Sequence, residues 1–372
     1  MSDYTISSLY PGDRRTLGEI QKLLTGEGIR LDKNLDYTCY MADEDGNPIA
    51  TGSCFRNTLR CMAVRSDHRG EALLNEIVSH LVQVEYERGN LHLFLYTKPS
   101  SAKFFETLGF CEIARVPDVL VFMENSRNGF ENYIRRLKRE TAEAAGETQD
   151  AAVPSERAQD AAVLAEAAPR TGAIVMNANP FTLGHRYLIE MARASCSFLH
   201  LFLVSEDLSL VPFPVRKRLL QEGTRDIPGL VLHESGSYMI SSATFPSYFL
   251  RDEDEAAAGH ARLDLAVFSR IAGELGIGAR FVGEEPFSRT TALYNRIMKE
   301  ELPREGISCL EIPRKAVNGE FISASEVRRR IHAGDLAGIR DLVPETTYAY
   351  FTSDEAAPVI ERIRKADRVI HD

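Results

Sequence analysis

The stretch Ala173-Ile-Val-Met-Asn-Ala-Asn-Pro-Phe-Thr-Leu-Gly-His185 decides the fold of the second half of this 372-residue chain. Its apolar start, Ala173 to Met176, is typical of a buried strand, and the following residues predict a tight turn into a helix that opens at His185. Free backbone N–H groups and the positive end of the helix dipole gather where such a turn opens a helix, and both favour an anionic ligand. The stretch therefore predicts a phosphate-binding strand, turn and helix.

Side chains of this turn predict contacts with a phosphate group. His185 can donate a hydrogen bond to a phosphoryl oxygen and stabilise charge that develops there, and Thr182 adds a hydroxyl donor. Gly184 permits a close approach of the backbone. Further residues expected to bind the nucleotide or shape its pocket are Asn177, Asn179, Pro180 and Phe181. The alternative interpretation is an ordinary helix N-terminus that carries a surface histidine.

The second half repeats a pattern of strand followed by helix. The expected strands are Ala173–Met176, Phe198–Ser205, Leu230–His233, Arg280–Gly283 and Cys309–Ile312. The expected helices are His185–Ser195, Pro214–Gly223, Ala261–Leu275, Thr290–Leu302 and Ser323–His332. Such alternation favours an α/β fold with a parallel sheet covered on both faces, and its ligands bind at the carboxyl ends of the strands.

A second motif, Ile322-Ser-Ala-Ser-Glu-Val-Arg328, lies near the end of this region. Ser323 is a natural N-cap with Glu326 three residues on, which predicts a capping box. Arg328, with the hydroxyls of Ser323 and Ser325, also forms a clamp suited to the outer phosphates of a nucleotide. The alternative interpretation is simply a well-capped amphipathic helix.

Together the two motifs, Thr-x-Gly-His and Ile-Ser-x-Ser-x-x-Arg, resemble the paired signatures of the nucleotidyltransferase superfamily. The segments between them narrow the resemblance to the citrate lyase ligase family, over nearly all of Thr171 to Phe351. These segments are Phe213-Pro-Val-Arg-Lys-Arg218, Ser241-Ser-Ala-Thr-Phe-Pro-Ser-Tyr-Phe249, Val282-Gly-Glu-Glu-Pro286, Tyr294-Asn295 and Glu311-Ile-Pro-Arg-Lys315.

The resemblance implies a Rossmann-like α/β/α sandwich and an ATP-dependent acid–thiol ligase. Members of this family acetylate the thiol of the phosphoribosyl-dephospho-CoA group on the acyl-carrier subunit of citrate lyase, through acetyl adenylate, and release AMP and pyrophosphate. The resemblance implies acetate, ATP and Mg²⁺ as the ATP counter-ion, with His185, Arg328, Thr182 and Ser323 at the reacting phosphates. The resemblance also places one loop against the base and ribose, formed by Gly283, Glu284, Glu285 and Pro286. It places Ile322 and Ser325 beside the nucleotide.

Two other functions stay open on the residues alone. One is an adenylyltransferase with a different acceptor, because both motifs serve the whole superfamily. The other is a regulator that binds nucleotide without catalysis. For the basic residues Arg216–Arg218, Arg314 and Lys315, phosphate steering and a solvated surface are equally compatible with the sequence. A loop with Tyr238, Ser242, Thr244 and Tyr248 is a weaker candidate for the acetate or carrier entrance.

The first half, residues 1–135, resembles the GNAT acetyltransferase fold. The resemblance rests on Met62-Ala-Val-Arg-Ser-Asp-His-Arg-Gly-Glu-Ala-Leu-Leu74, a long helix after it, and Lys103-Phe-Phe-Glu-Thr-Leu-Gly-Phe110. That family holds acetyl-CoA on a Gly-rich turn. Here Ala72 takes a glycine position and Leu74 a small-residue position, which weakens the cofactor prediction. We expect this domain to recognise the carrier or its prosthetic arm.

The remaining divisions follow from composition. Residues 136–170 are rich in Ala and Glu and predict a linker, residues 171–352 the catalytic domain, and residues 353–372 a C-terminal tail or helix. The chain carries 44 Lys and Arg against 54 Asp and Glu, a net charge of −10 that disfavours binding to nucleic acid.

Compartment and cysteine chemistry are also predicted from composition. Because no apolar run nears the roughly 20 residues that span a bilayer, and the start shows no signal peptide, we expect a cytoplasmic protein without membrane contact. Six cysteines without a C-x-x-C pair favour reduced thiols over a disulfide framework or a zinc site.

Overall fold

The computed structural model describes residues 4–147, 171–205, 208–239, 245, 248, 253–285, 288–317 and 320–366. The chain divides into two compact units. The first comprises the described residues of 1–132 and 244–266, and the second those of 133–243 and 267–372. Within the described residues, no helix is long and apolar enough to cross a membrane.

The first unit is built on a mixed sheet in the order β1-β2-β3-β4-β5-β7-β6, in which only β4 and β5 pair in parallel. Its strands are β1 (Ile6–Ser8), β2 (Tyr37–Ala42), β3 (Pro48–Phe55), β4 (Thr58–Val64), β5 (Phe94–Thr97), β6 (Cys111–Val116) and β7 (Leu120–Glu124). Its helices are α1 (Arg14–Gly26), α2 (Leu73–Glu87) and α3 (Pro99–Thr107). Apolar residues at helical spacing on α2, among them Leu73, Ile77 and Leu81, are buried against the sheet, as their periodicity predicts.

The turn before α2 adopts the backbone conformation that glycine favours. Ala72, which the sequence analysis places at a glycine position, has a φ of 59°. The left-handed region costs a residue with a Cβ roughly 1 kcal/mol. The turn therefore keeps its shape although the glycine is replaced.

A tyrosine from the second half of the sequence belongs to the first unit. Strands β4 and β5 pair at Thr58–Phe94 and Leu59–Leu95. The Tyr248 hydroxyl donates to the carbonyl of Tyr96 on β5 (3.4 Å) and accepts from the backbone N–H of Cys61 on β4. The described residues of 244–266, which fall within the predicted domain of residues 171–352, thus belong to the first unit.

Helix α4 (Gly129–Glu147) corrects the predicted linker boundary. Leu137 is fully buried, the Tyr133 ring packs on Tyr238 at 4.6 Å, and the Glu140 carboxylate lies 2.6 Å from Nδ1 of His233. Residues 136–147 are therefore part of a packed helix, because large side chains spaced along it do bury a face. Residues 148–170 lie outside the described part of the chain.

The second unit is an α/β fold on a parallel sheet, as predicted, in the order β10-β9-β8-β11-β12. Its strands are β8 (Thr171–Met176), β9 (Phe198–Leu203), β10 (Leu230–Glu234), β11 (Ala279–Gly283) and β12 (Ser308–Ile312), followed by a short ribbon of β13 (Ala316–Val317) and β14 (Glu320–Phe321). The helices are α5 (Leu183–Ala194), α6 (Phe213–Gly223), α7 (Glu253–Leu275), α8 (Arg289–Glu301), α9 (Ala324–His332), α10 (Glu345–Phe351) and α11 (Ala357–Lys365).

Each strand and helix predicted for the second half is present, although α7 begins eight residues before the expected Ala261 and contributes to both units. The strand order reverses between β8 and β11, which makes their carboxyl ends a topological switch point. Helix α11 lies in the predicted tail. Because Val359 and Ile363 are buried in the core of the second unit, the catalytic domain extends past residue 352.

Candidate functional site

A cavity of about 620 Å³ lies at the carboxyl ends of β11 and β12, beside the start of α5 and of α9. It lies at the switch point, where parallel α/β sheets bind their ligands. Both sequence motifs meet in its wall. The predicted site residues that line it are Thr182, Gly184, His185, Gly283, Glu284, Glu285, Ile322, Ser323 and Ser325.

Other predicted site residues are not among the described residues that line the cavity. These are Asn177, Asn179, Pro180, Phe181 and Arg328. Pro286 lies outside the described residues. The structure therefore separates the predicted residues into a group that faces the cavity and a group that lies behind it.

Thr182 and His185 form a reciprocal cap at the start of α5. The Thr182 hydroxyl oxygen accepts a hydrogen bond from the His185 backbone N–H (3.2 Å), and Nδ1 of His185 accepts from the Thr182 backbone N–H (3.1 Å). Since Nδ1 acts as an acceptor, these hydrogen bonds assign the proton of the neutral imidazole to Nε2. The cap thus fixes which nitrogen of His185 is a donor.

The surroundings of His185 oppose its protonation. Burial lowers the pKa of His185 to about 4, and the positive charges of Arg314 and then Arg328 act in the same direction. At neutral pH the imidazole is therefore an uncharged N–H donor. At the imidazole itself, these two positive charges favour an anionic group over a cationic one.

The residues behind the cavity hold the turn in shape. The Asn179 side-chain oxygen accepts from the Val211 backbone N–H (3.0 Å), and the Asn177 amide donates to the Ser209 hydroxyl (2.9 Å). Phe181 is fully buried. Asn177, Asn179 and Phe181 thus hold the turn between β8 and α5 from its protein side.

Gly184 permits contact between the two motifs. A Cβ at this position would lie 3.0 Å from the Ile322 carbonyl oxygen, which is tighter than ordinary van der Waals contact. The close approach of backbone to Gly184 that the sequence predicts is therefore made by Ile322, the residue before the N-cap of α9. The glycine brings the two motifs together.

Arg328 is almost completely buried, with 1% of its surface exposed. Its guanidinium donates to the Asn179 carbonyl, which belongs to the first motif, and to the Ser325 hydroxyl (3.2 Å), which belongs to the second. Arg328 therefore ties the two motifs together from behind the cavity wall.

The cap of α9 forms only in part as predicted. Ser323 accepts from the Glu326 backbone N–H (3.1 Å), which confirms the N-cap. The expected return bond of a capping box is replaced, because the Glu326 carboxylate pairs with Arg329 and Arg330. Both guanidinium groups lower the pKa of Glu326.

The three adjacent basic residues of α6 have different environments. Arg216 is fully buried and donates to the carbonyls of Asn177 (2.7 Å), Val204 (2.9 Å) and Val211 (3.1 Å). Lys217 and Arg218 pair with Glu234 and Glu355 at the surface. Neither phosphate steering nor a solvated face describes Arg216, because three carbonyls converge on it, two from the residues after β8 and β9 and one from just before α6.

Sequence reasoning left some cavity residues undecided and missed others. Arg314 and Lys315, which it left open between two roles, line the cavity. Arg329 and Tyr187 line it as well and were missed, although Tyr187 lies two residues after His185 and Arg329 follows Arg328. Their nearness in sequence to the two motifs is the signal that points to them.

The structure describes two residues of the predicted entrance loop. Tyr238 packs on Tyr133 within the second unit, and Tyr248 is buried in the first unit. Ser242 and Thr244 lie outside the described residues, so the entrance role stays a prediction.

Solved structures of acetyltransferases match about a third of this chain. A GNAT-family acetyltransferase from Staphylococcus aureus Mu50 is 16% identical, and the match covers 32% of this chain and 98% of that chain with a TM-score of 0.29. The ribosomal-protein-S18-alanine N-acetyltransferase from Escherichia coli is 19% identical and covers 32% of this chain and 92% of that chain, with a TM-score of 0.26.

Curated relatives match over most of their length. Residues 171–351 match the citrate lyase ligase C-terminal domain. The chain is 36% identical over 344 residues to the [citrate [pro-3S]-lyase] ligase of Escherichia coli K12, covering 91% of both chains. It is 35% identical to that of Haemophilus influenzae, covering 91% of this chain and 96% of the other. With the two motifs facing one cavity and this identity along both halves, the chain belongs to the citrate lyase ligase family.

Proposed function

We propose that this protein is an ATP-dependent ligase that acetylates the prosthetic-group thiol on the acyl-carrier subunit of citrate lyase. The observation that carries the proposal is the convergence of both phosphate motifs on one cavity at the switch point. The relatives that cover about nine-tenths of the chain are named as ligases of citrate lyase, which supports this choice of partner.

The first step forms acetyl adenylate. A carboxylate oxygen of acetate attacks the α-phosphorus of ATP, a new P–O bond forms, and the bond to the β-phosphate oxygen breaks to release pyrophosphate. Negative charge grows on the phosphoryl oxygens and on the leaving group, and preorganised donors stabilise it. Nε2–H of His185, the N-termini of α5 and α9, and the cavity-lining Lys315 and Arg329 supply donors and positive charge for this step.

The second step transfers the acetyl group to the carrier. The prosthetic-group thiol loses its proton to solvent, its thiolate attacks the acyl carbon, and AMP leaves. This sequence needs no nucleophile from the protein. Consistent with it, none of the six cysteines is among the described residues that line the cavity, and burial raises the pKa of Cys39 and Cys61 to about 12.

We propose that Mg²⁺ enters as the counter-ion of the ATP phosphates, where it would neutralise charge on the leaving pyrophosphate. Magnesium accepts one or two carboxylates alongside phosphate oxygens and water. Glu284 at the cavity wall offers such an oxygen. The described residues contain no cluster of three or more His, Cys, Asp or Glu side chains suited to a metal ion.

Isotope exchange between pyrophosphate and ATP tests the proposal. Exchange that depends on acetate is the result we expect. Exchange that needs a different acceptor would replace the proposal with an adenylyltransferase, and binding of ATP without any exchange would indicate a non-catalytic regulator. Transfer of acetyl from the adenylate to the carrier thiol, followed by mass spectrometry of the carrier, tests the second step.

A further inference from the structure

Arg314 joins the segments that follow two neighbouring strands. It lies just after β12, and its Nε donates to the carbonyl of Glu284 (2.7 Å), just after β11. Its terminal nitrogen pairs with one carboxylate oxygen of Glu285, while the other oxygen accepts from the backbone N–H of Ser288 (3.0 Å), the N-cap of α8. One guanidinium thus fixes the wall of the cavity between β11 and β12.

Burial and position distinguish Arg314 from Arg328, the arginine of the second sequence motif. Arg314 lines the cavity, and 21% of its side chain is exposed, so its charge acts on whatever enters. Arg328 is not among the described lining residues and is held by Asn179 and Ser325. A partly exposed guanidinium interacts more strongly than one in bulk water, because the local dielectric constant is lower.

We propose that Arg314 is a positioning residue of the adenylation step, which holds Glu284 and Glu285 in place and sets the electrostatic field at His185. The assignment of Arg314 to the adenylation step rests on the proposed function. The effect of the Arg314 charge on His185 rests on the geometry of the cavity alone. It gives the Arg314–Glu285 ion pair a role at the reacting phosphates, in addition to the motif residues His185 and Arg328.

The charges around His185 predict the direction in which each substitution shifts the pKa of His185, and this direction tests the proposal. Arg314 follows burial as the largest cause that lowers the pKa of His185, and Arg328 on α9 is next. The other charged side chains that share the cavity wall are Glu284, Glu285, Lys315, Glu326 and Arg329. Removal of the Arg314 charge should therefore raise the pKa of His185. Removal of the Glu285 charge leaves Arg314 without its counter-charge and should lower that pKa.

Nuclear magnetic resonance on the full chain measures these shifts without nucleotide. The Cε1–H resonance of His185, assigned by its loss in His185→Gln, is titrated in the wild type, Arg314→Gln, Glu285→Gln and Arg340→Gln. Arg340 is a matched control, because it is an exposed arginine that pairs with Glu345 on the surface. We expect the pKa of His185 to rise in Arg314→Gln, fall in Glu285→Gln and stay unchanged in Arg340→Gln. An unchanged pKa in Arg314→Gln overturns the electrostatic role.

Kinetics with a conservative variant separate charge from contact. Arg314→Lys keeps the positive charge but cannot make the paired contacts to Glu284 and Glu285, since an ammonium lacks the planar fork. Arg314→Lys should have the wild-type pKa of His185 but a raised KM for ATP in the exchange reaction. Arg314→Gln should have both a raised KM and a lower kcat. Identical kinetics in Arg314→Gln and the wild type overturn the positioning role.

The failure of the proposed function has a different signature. If the wild type shows no acetate-dependent exchange, the proposed function is wrong and the role in adenylation falls with it. The histidine titration still decides whether Arg314 sets the field at His185, because that measurement needs neither ATP nor acetate.

Discussion

At the scale of single residues, burial assigns roles that residue type leaves open. His185, Arg328 and Arg314 are all polar residues near phosphate motifs, yet His185 and Arg314 line the cavity whereas Arg328 lies behind it. The proton of His185 is placed on Nε2 by the Thr182 cap, so the residue can donate while uncharged.

The change His185→Ala should reduce acetate-dependent exchange by about a hundred- to thousandfold, as loss of one transition-state donor typically does. The affinity for ATP should change only modestly, because the donor acts on charge that grows during the reaction. Exchange kinetics and equilibrium ATP binding check the two parts. An exchange rate near that of the wild type would show that His185 is not the donor.

The change Arg328→Lys should lower both activity and stability. A lysine cannot reach the Asn179 carbonyl and the Ser325 hydroxyl together, and an ionic hydrogen bond of this kind contributes about 2 kcal/mol. Urea unfolding should show a lower free energy of unfolding, and exchange should weaken in rate and in ATP affinity. Unchanged values in both assays would mean that Arg328 contributes to neither.

At the scale of secondary-structure elements, a chain of buried hydrogen bonds attaches α4 to the sheet. Nδ1 of His200 on β9 lies 3.0 Å from Nε2 of His233 on β10, and Nδ1 of His233 lies 2.6 Å from the Glu140 carboxylate on α4. The carboxylate orients both rings, because it accepts a hydrogen bond from Nδ1–H of His233. Burial lowers the pKa of His200, so this imidazole is neutral in the interior.

Stability should therefore fall as the pH drops below about 6.5. Burial lowers the pKa of His200 to about 3 and that of His185 to about 4, so that the unfolded chain binds protons at these positions before the folded chain does. Each contributes up to about 1.4 kcal/mol per pH unit between the unfolded value, near 6.5, and its folded value. Above pH 6.5 neither histidine makes the free energy of unfolding depend on pH.

Urea unfolding at pH 7.5, 6.5 and 5.5 measures this slope. A variant with His200→Phe removes one titrating group, and its free energy of unfolding should fall less steeply between pH 6.5 and 5.5 than that of the wild type. Equal slopes in the two proteins would contradict the assignment of His200 as a buried neutral group.

At the scale of the whole molecule, the two units do not correspond to a simple division of the sequence. Residues of 244–266 complete the first unit, and residues from Tyr133 onward belong to the second. The predicted linker thus supplies residues 136–147 of helix α4, and the second half of the sequence supplies Tyr248 to the first unit. Truncation at the compositional boundary removes contacts that the catalytic unit uses.

A fragment of residues 172–372 should be less stable than a fragment of residues 129–372. The shorter fragment lacks Tyr133 and Glu140, which cover Tyr238 and His233, and exposes apolar surface near β10. Circular dichroism should show a midpoint of thermal unfolding lower by several degrees, roughly what 1 to 2 kcal/mol produces in a domain of this size. Both fragments keep the two motifs, so the longer one should retain acetate-dependent exchange. Equal midpoints would show that α4 adds no stability.

The sequence by itself determined the α/β alternation, the parallel sheet of the second unit, the two motifs and the family. These follow from local periodicity, caps and short motifs, which are readable within about a dozen residues. Only the tertiary structure decided that Arg216 and Arg328 are buried, that α4 packs on the catalytic unit and that Arg314 bridges to Glu284 and Glu285. A buried charge needs hydrogen-bond acceptors around it. Those of Arg216 come from Asn177 and Val204 as well as from the nearby Val211, and this convergence is a property of the folded chain.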